Sequence, residues 1–322
     1  MAYDFHLKSE KILQYSYGIQ RQLTSAIALE VAYVGSRGED LIAGVDYNQA
    51  FPGATALQTR RPLCVYGINC LVGDIRYATN LGDSHYNSLQ THLTMRSYHG
   101  LTSSVAYTWS HFLSDIGALT VGSTTMNARC YGCEMASDPS DRKHVLIINH
   151  VYELPFGHGH PWLASGILGQ VVGNWQVDGI WSVMTGTPLS ATLATGVSNT
   201  ASSGTGAERP NCFAGNPNLS SGQQTINEWF NVSAFSIPQP YTFGNCGPYI
   251  IRGPHFFNID TGIHRDFRVT EKVRVTLRGE FFNTLNHVNF SNPNAQVGGP
   301  TVGQISATQP ARIVQVAMRA VF

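Results

Sequence analysis

The sequence predicts an all-β fold: an antiparallel meander of about nine long strands that forms part of a transmembrane β-barrel wall. Three observations lead there. Period-two alternation of apolar and polar residues dominates the chain. Most of the alternating runs are longer than the usual soluble strand and match what a tilted strand needs to cross a bilayer. The connections are sorted, short turns alternating with long loops, which puts all the long ones on one side.

Taken in order, the strands are expected near 12–23, 26–38, 86–98, 101–113, 144–156, 174–190, 256–269, 273–287 and 311–322. In the second, Ile27, Leu29, Val31 and Tyr33 alternate with Ala28, Glu30 and Ala32. The third sets Leu89, Thr91, Leu93 and Met95 against Gln90, His92, Thr94 and Arg96, and the fourth sets Val105, Tyr107 and Trp109 against Ser104, Ala106 and Thr108. Trp175, Val177, Trp181 and Val183 oppose Gln176, Asp178 and Ser182 in the sixth. The eighth is the cleanest, with Val273, Val275, Leu277 and Phe281 on one face and Arg274, Thr276, Arg278 and Glu280 on the other. The last places Val314, Val316, Met318, Ala320 and Phe322 opposite Gln315, Ala317 and Arg319. Short turns fall at Thr24-Ser25, His99-Gly100 and Glu271-Lys272, with a moderate one at Gly157–Gly173; long loops cover 39–85, 114–143, 191–255 and 288–310.

Lipid cannot solvate Arg274, Arg278 or Glu280, so their face, with Gln315 and Arg319, is expected to line a wet lumen and the apolar face to look outward. Arg21 and Arg265 fall on the nominal lipid face near short turns, from which they are expected to snorkel to the interface. Alternation alone also permits a soluble two-sheet sandwich; strand length and loop sorting favour the barrel.

Composition narrows the function classes. Only 12% of residues are charged, Lys plus Arg (20) equals Asp plus Glu (20), and mean hydropathy is −0.09. No net charge is available to hold nucleic acid. No stretch approaches the roughly 20 apolar residues of a membrane helix. The N-terminus lacks the basic and apolar regions of a secretory signal.

Six cysteines form three sequence-local pairs in Gly/Asn/Pro-rich segments: Cys64 with Cys70, Cys130 with Cys133, and Cys212 with Cys246. In an oxidising compartment these read as loop disulfides, the third closing the largest loop. Cys130-Tyr131-Gly132-Cys133 also has the spacing of a redox dithiol or half a zinc site, but no helix pattern and no second such pair accompanies it. His158 with His160, and His144 with His150, invite a metal reading; in a chain with 12 histidines chance proximity is the preferred one. The run Gly196–Gly206 lacks the Lys-Ser/Thr ending of a phosphate loop and reads as an external loop. No catalytic, cofactor-binding or metal-binding residue is expected.

Several phrases resemble the C-terminal portion of the Oar-like TonB-dependent outer-membrane receptors of acidobacterial type. They are Gly18-Ile19-Gln20-Arg21-Gln22-Leu23 followed by Leu29–Gly38; Tyr86-Asn87-Ser88-Leu89-Gln90 leading to His99-Gly100-Leu101; Asn174-Trp175-Gln176 with Thr185-Gly186-Thr187-Pro188; Phe281–Phe290; and Ala311–Gln315. The resemblance implies one unit, 1–322, that is the C-terminal part of a larger barrel, with a plug, a TonB-contacting segment and a carboxypeptidase-regulatory-like sandwich lying upstream. It implies energised nutrient import in the cell outer membrane, with outer-membrane lipid, the barrel-assembly machinery and an unknown extracellular ligand as partners, and TonB only through the upstream plug. An outer-membrane structural or adhesion barrel is the alternative. Phe322, with Ala320 and Met318, resembles the terminal signal recognised by the assembly machinery. The isolated chain is expected to be an open curved sheet with strands 12–23 and 311–322 unpaired, its first residue on the long-loop side.

Overall fold

The structure, a computed structural model, describes residues 2–116, 125–157, 159–163, 165–194, 208–268, 270 and 273–322. Nine long strands form one antiparallel sheet in simple sequence order: β1 (Lys11–Gln22), β2 (Ile27–Asp46), β3 (Arg76–Tyr98), β4 (Leu101–Ser114), β5 (His144–Glu153), β6 (Trp175–Met184), β7 (Phe256–Arg268), β8 (Arg274–Phe282) and β9 (Ile313–Val321). The sheet is open, with β1 and β9 at its two edges. Parallel pairing among the described residues is confined to two two-residue contacts, Ala2–Tyr3 beside Tyr77–Ala78 and Thr192–Leu193 beside Gln296–Val297, and one isolated bridge between Phe156 and Trp162.

The register carries a single apolar face across all nine strands. Directly opposed residues share a face, and one such row runs Leu29, Leu93, Val105, Ile148, Trp181, Ile259. The row toward the short turns holds Arg265, Leu277 and Met318 beside Trp175. A one-residue slip at any ladder would send a polar row into lipid, so this continuity constrains every pairing at once.

Turn chemistry fits the short side. His99 (φ 50°) and Gly100 (φ 83°) both sit in the left-handed region, as a two-residue hairpin between β3 and β4 requires. The Glu271-Lys272 turn lies outside the described residues.

Four expected boundaries are corrected. The second and third strands run on to Asp46 and back to Arg76, so the loop expected at 39–85 shrinks to 47–75. A bulge after Gly38, with Asp40 at φ 56°, shifts the periodicity, and above it Leu41, Ala43 and Val45 are buried. The pattern there no longer alternates against lipid, which hid the strand. The sixth strand ends at Met184, not 190, because Gly186 lies against the backbone of Gly253 and Pro188 lacks a donor. The eighth ends at Phe282, not 287: Asn283 and Asn286, both at φ 51°, turn the chain, and the Asn283 side chain exchanges hydrogen bonds with the His287 backbone at 2.9 Å.

The wall has almost no core of its own. Buried apolar residues gather in the long loops, where Phe230 and Ile251 are fully enclosed with Trp229, Phe235, Leu193, Ala191, Cys246 and Val297.

Adjacent wall positions provide a direct check of the faces. In the intact barrel Ile148→Arg, mid-height on the apolar face, should cost about 2–4 kcal/mol, and Asn149→Arg on the opposite face close to nothing. Urea titration of vesicle-inserted protein measures both; equal costs would contradict the assignment.

Candidate functional site: the loop mass and the lumen face

The described residues of the four long connections, 47–75, 115–143, 185–255 and 283–312, are joined to one another by hydrogen bonds and ion pairs. The first is organised by Asn48, whose amide donates to Val72 O and Gly73 O while its carbonyl accepts from Leu63 N, all at 2.9–3.0 Å. Arg61 is buried there between Asp46 and Asp74 and donates to Asn48 O. Gln49 ties this loop to the second by donating to Met126 O and accepting from Ala128 N; Arg129 reaches back to lie 4.1 Å over the Phe51 ring.

Two ion pairs, the first buried and the second partly so, join the second loop to the third. Glu134 takes a two-pronged hydrogen bond from Arg209 at 2.7 and 3.1 Å, and Arg209 also donates to Cys246 O. Asp141 accepts from Arg252 at 2.5 Å and from Phe112 N at 2.8 Å. The fourth loop closes on the third through Trp229 N to Gly303 O and Ile305 N to Ile226 O, at 2.9 and 2.8 Å. Such a mass presents a defined surface, with Tyr47, Tyr66 and Phe213 among its exposed aromatics.

Disulfides join Cys64 to Cys70, Cys130 to Cys133 and Cys212 to Cys246, all within these loops. The Cys130-x-x-Cys133 spacing carries a disulfide. His144 is engaged by the Tyr107 hydroxyl at 2.8 Å, and His150 stands edge-on to Trp181. His158 and the run Gly196–Gly206 lie outside the described residues; His160 N donates to Gly157 O in a turn.

Below the loops, the polar face carries an ionic ladder over β6 to β9. The register puts Arg278 opposite His264 and Ala317, Glu280 opposite Gly262 and Gln315, and Arg319 opposite Thr276, while Arg274 faces Val321. Arg278 pairs with Glu280 at 2.8 Å, His264 with Asp178 at 3.1 Å, and Asp260 accepts from Asn258 and from Asn283 N. Asp178 was placed on the polar face of the sixth strand from sequence; Asp260 and His264 were not singled out. A groove of about 450 Å³ crosses the short-turn half of this face, lined by Thr94, Thr102, Ser104, Asn149, Val151 and Asp178 among others.

On the other face, Met318, Ala320 and Phe322 follow β9, with Met318 and Phe322 highly exposed. Arg265 departs from its expectation. It does not snorkel into water: it is only 7% exposed, stacks 4.3 Å over Phe267 and donates to Val171 O at 2.6 Å.

Residues 1–315 match the family described as outer membrane beta barrel domain. The chain belongs to that family. It is therefore a protein of the cell outer membrane; barrels of that membrane carry their longer loops on the outside and their short turns in the periplasm. Among solved structures, this barrel chain is similar to the outer membrane transporter YddB from Escherichia coli, with TM-score 0.53 at 8% identity over 98% of the chain. It is also similar to BauA, the ferric preacinetobactin receptor from Acinetobacter baumannii, with TM-score 0.46 at 8% identity over 96% of the chain and 29% of the receptor. The chain spans about a third (33%) of the length of YddB. No curated protein matches the sequence.

Burial raises Asp46 and Asp115 above the usual carboxylate range, against the backbone donors that each accepts. A carboxyl raised on folding contributes stability that is complete below its unfolded value, about 3.9, and is lost as pH climbs through the raised one. Lowering the pH from about 7 toward 4 should therefore tighten the first two loops through these groups. Protease nicking across that range, compared between the native chain and Asp46→Asn/Asp115→Asn, should show a pH dependence that the variant loses.

Closing 34 residues, the Cys212–Cys246 bridge should contribute most among the three. On the chain-entropy picture its removal by paired Ala substitution costs the third loop about 3–4 kcal/mol, against about 2 for Cys64–Cys70. Denaturant titration of the loop mass, followed by Trp229 fluorescence, reads the difference.

Proposed function

We propose that this chain is the C-terminal portion of an Oar-like, TonB-dependent nutrient receptor, supplying lipid-spanning strands and ligand-contacting outer loops to energised import. The observation that carries the reading is the direction of the two edges. In an antiparallel series of nine, β1 and β9 run the same way. Joined directly, they would pair in parallel, so an all-antiparallel closed wall needs an odd number of further strands between them. A larger barrel supplies these, and the likeness to a transporter three times as long fits it.

The lumen face supports the same reading. Its ionic ladder offers a polar surface, and the groove beside it a largely apolar recess, against which a plug can seat, and through such a plug TonB would act. The folded outer loops are suited to holding a ligand, because little ordering remains to be done on binding. No step of this role involves catalysis by the chain.

Assembly follows from the C-terminus. Phe322, with Ala320 and Met318 on the outward face, is proposed as the signal read by the barrel-assembly machinery, a terminal aromatic being suited to the bilayer interface.

Two measurements test the proposal. The chain preceded by its upstream reading frame should migrate as a heat-modifiable folded barrel, and deleting Phe322 should lower its outer-membrane yield several-fold; the chain alone should give no such band. Uptake of the nutrient that rescues a receptor deletion should stop equally when TonB is removed. A stable folded monomer from the chain alone, or uptake independent of TonB, would count against the reading.

A further inference from the structure

The turn between β5 and β6 is unlike the other connections on the periplasmic side. Residues 154–174 contain no Asp, Glu, Lys or Arg. They include a short helix, α1 (Gly166–Val172), and expose Ile167 (80%), Val171 (62%) and Trp162 (59%), with Leu163 and Val172 also exposed. A water-filled periplasm gives no reason to display such a surface.

Its position says what covers it. Trp175 and Arg265 are directly opposed on the outward, apolar face of the wall. Both side chains donate to one carbonyl of α1, Val171 O, Trp175 at 3.2 Å and Arg265 at 2.6 Å. The helix is therefore fastened to the lipid side of the wall and not beneath the lumen. Arg265 is buried by this arrangement, with its guanidinium stacked on Phe267, and a cation at the C-terminal end of a helix is favourably placed.

The turn holds its shape independently of lipid. Gly157 and Gly173 lie back to back so closely that a Cβ on either would stand 2.4–2.6 Å from the other's Cα. Gly157 has φ 103°, a conformation that only glycine adopts readily. Asn174 N donates to Phe156 O and Gly157 N to Trp162 O, both at 2.9 Å, and the Phe156 and Trp162 rings are 5.7 Å apart.

We propose that residues 154–174 are an interfacial anchor, with α1 and Trp162 seated among phospholipid acyl chains of the periplasmic leaflet. The apolar surface of the turn is continuous with the lipid-facing wall through Trp175 and Phe267. Trp162 and Trp175 are the residue type that prefers the boundary between hydrocarbon and headgroups, and a short apolar helix lying in that plane extends the area the wall presents to lipid. The inference rests on the outer-membrane location of the chain and not on any transport role.

The test uses the intact protein inserted in vesicles of phosphatidylethanolamine and phosphatidylglycerol, a fraction of the lipid carrying a photoreactive group in its acyl chain. In the native chain, cross-links should map to residues 159–172 as well as to β8, whose labelling proves insertion. Ile167→Asp/Val171→Asp, both at exposed positions, should lose the turn cross-links and keep those on β8. An independent reading comes from Ile167→Cys bearing a fluorophore, the six native cysteines being bridged. With brominated acyl chains its emission should fall by roughly half, as suits a side chain held 5–10 Å into the interface. A labelled β8 with an unlabelled turn, or unquenched emission at position 167, would overturn the proposal and leave the surface to a periplasmic protein or a second copy.

Discussion

In hydrocarbon a backbone N–H or C=O has no partner except another backbone group, and each one left unpaired costs several kcal/mol. This requirement orders the rest of the molecule. It makes the strands long and lays them beside their sequence neighbours, so that each ladder forms from the nearest chain. It holds the register so that one apolar face runs from Leu29 to Met318 without a slip. It also makes the outer edges of β1 and β9 the places where the structure asks for more protein, and their common direction limits what can answer.

Cohesion is divided between two regions by different means. The wall is held by its ladders and by lipid, and buries little apolar surface within itself. The loops are in water and must pay for their own order, which they do with an enclosed cluster around Phe230 and Ile251, with three disulfides, and with Arg209–Glu134 and Arg252–Asp141. Breaking one partner of the buried pair Arg209–Glu134 leaves a charge uncompensated, typically a loss of about 3–5 kcal/mol, and less is expected at Arg252–Asp141, where Arg252 is partly exposed. These pairs each bridge two loops, so they fix how the loops sit against one another as well as how firmly.

Arg265 links the two regimes at the opposite end of the wall. A cation on the lipid face is costly, and near an interface the usual remedy is to extend toward water. Here the side chain is instead enclosed by Phe267 and by a helix carbonyl, which turns an unfavourable position into a fastening point for the β5–β6 turn.

Strand number, faces and the sorting of loops were legible in the sequence because they depend on local periodicity, which one chain displays directly. Lipid on one side and water on the other write Val273-Arg274-Val275-Thr276-Leu277-Arg278 as plainly as the structure does. The disulfide partners were legible for a related reason, each cysteine having its mate nearby in the chain. The upper parts of β2 and β3 were not, since past the bulge at Gly38 they face the loop mass and the alternation against lipid ends. Nor could the sequence show that Glu134 meets Arg209 or that Asp141 meets Arg252, pairs separated by 75 and 111 residues. Periodicity records the solvent on each side of a strand, and the sequence by itself determined that much. Which distant charges meet across folded loops, and which carbonyl encloses Arg265, depends on how separate segments pack, and only the tertiary structure decided it.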